Sequence, residues 1–142
     1  WWAASIFNTE SREESLLVTI LLTDGTPNAG YDDHDPPRPI CPDNLINPDS
    51  GKCNDGDPNT RHAFGNAQYD TDDYARDWAD TLANPDYVGS LIFSIGLGNV
   101  SPPLLNYIAE KGLTTSYYQA TPENLQKIFL TIANKIATRL IK

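Results

Sequence analysis

Two nearly continuous apolar runs, Leu16–Leu22 and Leu91–Leu97, each stop abruptly at a polar turn that carries glycine. Neither alternates with a period of two, so each predicts a strand covered on both faces, which is the habit of a parallel sheet. Between and after them the period becomes helical. Ala75, Trp78, Ala79 and Leu82 recur at i, i+3, i+4 and i+7, with Thr71 or Asp72 as the expected cap and Asn84-Pro85 as the stop. Ser101-Pro102 reads as a cap followed by proline at the first helical position, opening a helix that Gly112 ends. The stretch "TSYYQA" reads as a short third strand, and Thr121-Pro122-Glu123 as a second helix start of the same kind. The last helix carries an apolar stripe from Leu125 through Ile128, Ile132 and Ile136 to Ile141, broad enough to dock on a sheet face. "WWAASIF" at the start reads as the final turns of another helix. Strand, helix, strand, helix, strand, helix predicts an α/β, three-layer, Rossmann-like parallel sheet with right-handed crossovers and helices on both faces. In such sheets ligands gather at the carboxyl ends of the strands, where Asp24 and Gly98-Asn99 fall.

The chain has 142 residues, enough for one domain, and begins at Trp without any Met, so it is expected to be the C-terminal portion of a domain. No apolar run approaches the roughly 18–20 residues needed to cross a bilayer. Residues 26–70 form a long insertion that holds seven of the eleven prolines. Charge is concentrated there too: Asp24–Asp73 contains eleven acids against three bases, almost all of the net charge of −9. No basic patch exists for nucleic acid or an anionic membrane, whereas cations or a basic protein surface are natural complements. Cys41 and Cys53 both lie in the insertion, with no CxxC pair and no zinc-ligand spacing. A disulfide between them would close a short loop, worth about 3 kcal/mol, and implies an oxidising, extracytoplasmic setting; two unpaired thiols are the alternative. Asp55, Asp57 and Asn59 stand at alternate positions, the opening of many calcium loops, although Thr60 and Asn66 replace the glycine and glutamate of an EF-hand. The alternative is a solvated acidic turn. His34 and His62 read as exposed loop residues.

Enzyme chemistry finds little support. A strand running into Asp24-Gly25-Thr26 resembles the haloacid-dehalogenase phosphatases, but the nucleophile position there is Leu22, which cannot attack phosphorus. Gly96 and Gly98 follow a strand, yet Ser101 stands where a dinucleotide fingerprint needs its third glycine. "VTILLTDGTPN", an amphipathic helix, "SLIFSIGLGN", a helix, a short aromatic strand and a long final helix together resemble the von Willebrand factor type A family, in the manner of its secreted or cell-surface bacterial members. The resemblance covers the chain outside residues 26–70. It implies a non-enzymatic adhesion module that takes a protein ligand at the strand rim through a metal-ion-dependent site holding Mg²⁺. It also implies that Asp24, in Thr23-Asp24-Gly25, is one metal ligand. The family's Asp-x-Ser-x-Ser loop is absent, and the family places it upstream of Leu16. The other readings of Asp24 are a turn residue bonding nearby amides, and of the whole chain a structural surface module whose acidic loop holds Ca²⁺. With the family's first strand missing, the Leu16–Leu22 strand would present an open edge, predicting self-association.

Overall fold

The computed structural model describes residues 2–10, 15–27 and 55–140. The expected pair Cys41 and Cys53, His34 and most of the insertion lie outside those residues. Three strands form one parallel sheet in the order β1 (Val18–Thr23), β2 (Leu91–Leu97), β3 (Tyr118–Ala120). The register runs level, from Val18 opposite Leu91 to Thr23 opposite Gly96. That level register brings the turns after β1 and β2 to the same rim. Among the described residues four helices complete the order: α1 (Trp2–Glu10), α2 (Thr71–Ala83), α3 (Pro102–Lys111) and α4 (Leu125–Leu140). None is long and apolar enough to cross a membrane.

The alternation of β2 explains why its sequence carries almost no polar residue. Ile92 joins Ala79, Leu82, Leu104, Leu105 and Ile108 on the face of α2 and α3, while Leu91, Phe93 and Ile95 meet Ile128 and Ile132 of α4 on the other. Ile92, Phe93 and Ile95 are each 1% exposed or less, and burying such a side chain stabilises by about 1.5–3 kcal/mol. The single polar interruption, Ser94, is satisfied by donating to the Leu105 carbonyl at 2.8 Å. Gly96 is required by contact: a Cβ there would lie 2.7 Å from Val100 Cγ2 and 2.8 Å from Leu105 Cδ1. Gly112 likewise allows close approach of α3 to β2, its carbonyl accepting from the Ile92 amide at 3.1 Å.

Three expectations need correction. The second face of β1 is covered only at its start, where Val18 packs against the α4 cluster. Leu21 packs against the α2–α3 core, but Ile20 and Leu22 are 42% and 50% exposed because α4 lies over β2 and β3 instead. The second edge of β1 has no strand partner among the described residues. Helix α4 begins at Leu125 rather than at Pro122, since the Asn124 side chain accepts from the Thr121 amide at 2.7 Å and holds a turn there. Its stripe does dock on the sheet, fully buried at Ile128 and Ile132 and half-buried at Leu125 and Ile136, while Leu130, off the stripe, and Leu140 face solvent. Finally, α2 is capped by Asp70, not by Thr71 or Asp72. Asp70 and Asp73 form a reciprocal capping box, each carboxylate taking an amide of the other's residue.

Candidate functional site

The rim at the carboxyl ends of β1 and β2 holds two clefts that share Thr26, Pro27 and Ser101 in their walls. The first encloses about 340 Å³, with Leu21, Leu104, Leu105 and Ile108 as an apolar floor and Asp24 at its mouth. Asp24 is exposed and makes no hydrogen bond or ion pair with any described residue; the turn is held instead by the Thr23 hydroxyl, which donates to the Gly25 carbonyl at 3.1 Å. Among the described residues, the amide bonds that the turn-residue reading expects of Asp24 are not made. The second cleft, about 270 Å³, is lined by Gly56, Pro58, Asp72, Val100 and Pro102 as well as the shared residues.

Ser101 sits at the seam of the two clefts. It occupies the cap position of α3 as expected, but its hydroxyl makes no cap bond. Pro102 and Pro103 supply no N–H at the first two helical positions, which leaves the Leu104 amide at the third as the one remaining cap donor, and the hydroxyl does not take it. The hydroxyl is left buried and without a partner among the described residues, at 8% exposure.

Behind the second cleft the segment from Asp55 to His62 folds over the start of α2, and the helix face that carries Asp72, Asp73 and Arg76 is buried as a result. Asp70 accepts from the amides of Asp55, Asp72 and Asp73 at 2.9, 3.0 and 3.3 Å. Burial pushes its carboxyl up, but the hydrogen bond from Asp72 and these amides outweigh burial and hold it below the usual carboxylate range. Asp72 goes the other way. Burial first, then the hydrogen bond to Asp70 and the Asp70 charge, push it up to about 7 against the pull of Arg76. Arg76, 3% exposed, pairs with Asp72 and Asp73 and donates to the Pro58 carbonyl. One oxygen from each of Asp55, Asp70 and Asp72 lies within 4.8 Å of the other two, so this triad can hold a metal ion.

In the loop expected at Asp55, Asp57 and Asn59, Asp57 accepts from the amides of Asn59 and Thr60 and from the Thr60 hydroxyl, an Asx turn; Asp55 accepts from the Asp57 amide at 2.7 Å and also brings an oxygen near those of Asp70 and Asp72. His62 is not an exposed loop residue. Its side chain is 11% exposed, with Nδ1 3.6 Å from Asp55 and 3.4 Å from Asp73, and its amide donates to Asp73 at 2.9 Å. Arg61 fastens the outer side of the segment by bonding Asp77, Asp80 and Tyr107.

The signal for Asp70, Asp72 and Asp73 was present in "DTDD", but acids at the head of a helix also serve as plain solvated caps. What sets these apart is coverage by residues 55–62, a contact that helical periodicity does not report. No protein-family model matches this chain, and neither does any curated protein or solved structure.

Proposed function

We propose that this chain belongs to an extracytoplasmic binding module, without enzyme activity, that takes a protein ligand at the rim formed by the carboxyl ends of β1 and β2. The observation that carries the reading is Asp24: a carboxylate at the mouth of a roughly 340 Å³ cleft that no described residue engages. An ordinary turn aspartate bonds the amides two and three residues on, as Asp57 does here. No described residue occupies the oxygens of Asp24, which leaves them, on this reading, for a cation or a basic group of the ligand.

A Mg²⁺ ion wants six hard oxygens in octahedral array. Around the Asp24 cleft the described residues provide one carboxylate, with hydroxyls from Thr23, Thr26 and Ser101 in the lining. That set fits one corner of an adhesion-type metal site and does not hold Mg²⁺ by itself. On this reading the remaining ligands come from an Asp-x-Ser-x-Ser loop elsewhere in the full-length polypeptide and from the ligand's own carboxylate. The test is titration of the full-length polypeptide with Mg²⁺ and Mn²⁺ by calorimetry, with and without Asp24→Ala. Loss of at least tenfold in affinity is expected; equal affinity in the variant, or the absence of an Asp-x-Ser-x-Ser loop from the polypeptide, contradicts the adhesion reading. A second reading, a structural surface module rigidified by Ca²⁺, is favoured by one separate observation: the buried triad Asp55, Asp70 and Asp72.

A further inference from the structure

At the edge of the sheet opposite the rim, a cleft of about 350 Å³ opens between the turn after α3 and the last turns of α4. The Gly112 carbonyl accepts from the Ile92 amide, which sets that turn beside the start of β2. Leu113, Thr114 and Thr115 line the cleft from the turn, Lys135 and Arg139 from the helix, and Phe93 of β2 lies between them. The two cations stand at i and i+4, so they share one flank of α4. At this size the cleft falls at the small end of ligand sites, which run from roughly 300 to 1,000 Å³.

Leu113 is the one non-glycine among the described residues with a left-handed backbone, at φ 58°, and it is 68% exposed. Chains usually place glycine or asparagine in such a turn after a helix. A leucine there costs strain and puts an apolar side chain on the wall of the cleft. The turn is fastened from both sides: the Leu113 amide donates to the Glu110 carbonyl at 3.1 Å, and its carbonyl accepts from the Arg139 guanidinium at 2.9 Å. Lys135 is placed by Tyr118, its ammonium lying 5.4 Å from the ring centroid. The sequence here has the opposite charge to the rim. From Leu113 to Lys142 it carries four bases and one acid, Glu123, which precedes α4 and so lies at that helix's other end. The carboxyl ends of α3 and α4 reach this edge as well, each worth about half a negative charge. Two full cations outweigh those two halves, so the cleft favours an anion despite the dipoles.

We propose that this cleft binds a small organic acid, its apolar body against Leu113 and Phe93 and its carboxylate held by Lys135 and Arg139. A guanidinium presents its N–H groups as a planar fork that matches a carboxylate, and it keeps donors beyond the one bonded to Leu113. The Thr115 hydroxyl adds a donor to the same lining. The apolar wall gives inorganic phosphate or sulfate nothing to bury, so the carboxylate with a hydrocarbon body is the better fit. A free aliphatic acid and an apolar residue at a peptide's C-terminus present this chemistry alike. The proposal does not depend on the role of Asp24, which stands at the opposite rim.

The test is an amide chemical-shift titration of the ¹⁵N-labelled protein with hexanoate and, separately, with N-acetyl-alanyl-leucine. Saturating shifts at Leu113, Thr115 and Lys135 are expected with at least one acid, and the tighter of the two identifies the source. Hexylammonium, N-acetyl-alanyl-leucinamide and inorganic phosphate should leave those amides in place at the same concentrations. Lys135→Gln and Arg139→Gln should each weaken binding about tenfold, the effect of losing one charge-assisted bond. Lys135→Gln keeps the Arg139 bond to Leu113, so it reads the charge alone should Arg139→Gln disturb the turn. Asp24→Ala should change nothing. No saturating shift with either acid up to roughly 10 mM overturns the proposal. So does an equal response to any of the three controls, binding that survives both glutamine variants, or binding that disappears in Asp24→Ala.

Discussion

Replacing Arg76 with methionine tests how much of the fold depends on the buried charge cluster. The guanidinium is 3% exposed, pairs with Asp72 and Asp73, and carries the Pro58 carbonyl on its other side. Removing one partner of a buried ion pair leaves the other uncompensated and costs about 3–5 kcal/mol. The lost bond to Pro58 adds about 1 kcal/mol. The penalty depends on pH, and its sign follows from Asp72. Its folded pKa, about 7, lies above the model value of 3.8, so between those values the folded state binds more protons than the unfolded one. Stability from this group is therefore fully present below about pH 4 and is lost as pH rises through 7. In Arg76→Met the guanidinium's downward pull on Asp72 is gone, so its carboxyl rises further; it is neutral at pH 5, and at pH 8 the fold bears either a charge without its partner or the cost of taking up a proton. The loss at pH 8 should approach the full ~3–5 kcal/mol, and at pH 5 about half of it, because Asp73 still lacks its cation. Urea unfolding followed by tryptophan fluorescence, in chelator at both pH values, reads this directly. A loss under about 1 kcal/mol at pH 8, within the range of exposed ion pairs, refutes the buried-cluster reasoning. So does a loss that is equal at the two pH values.

Other substitutions probe the packing and the edge. Gly112→Ala would place a Cβ within 2.6 Å of Ile92 Cα, a backbone atom that cannot swing aside, so a loss of about 1–3 kcal/mol in urea unfolding is expected. Tyr107→Phe removes hydroxyl bonds to Asp80 at 2.9 and 3.0 Å and the acceptor for Arg61, with an expected cost of about 0.5–1.5 kcal/mol in the same assay. Leu22→Lys puts a charge on the uncovered face of β1; light scattering should show less self-association, with stability changed by no more than about 0.5 kcal/mol.

Much of the scaffold was legible because its signals are local. Leu91–Leu97 and Pro102–Lys111 fall where the apolar run and the Ser-Pro start place them, and the parallel order follows from alternating strands and helices. Caps were less legible. Asp70, Thr71 and Asp72 are adjacent and all suited to the position, and only the reciprocal bond with Asp73 selects Asp70. At Thr121 the same Ser/Thr-Pro pattern failed, because an asparagine three residues on held a turn. The half-bare face of β1 was hidden for another reason: burial of Ile20 and Leu22 depends on which strands α4 overlies, and that is a long-range fact. Asp24 could be placed at the strand end from sequence, but that no described residue offers it an amide could not. The acidic triad was half visible. Asp55 stood in a recognisable run, while its structural companions lie 15 and 17 residues away at the head of a helix, joined to it by the amide of Asp55 itself.

Amide chemical-shift mapping addresses the rim most directly. In the full-length polypeptide, labelled with ¹⁵N and titrated with Mg²⁺, the largest shifts should fall on Gly25, Thr26 and Ser101 around the first cleft, and Asp24→Ala should remove them. Shifts that persist in the variant, or that appear only far from this rim, for instance near Lys135 and Arg139 beside the cleft at Leu113, would contradict the assignment of the binding surface to the carboxyl ends of β1 and β2.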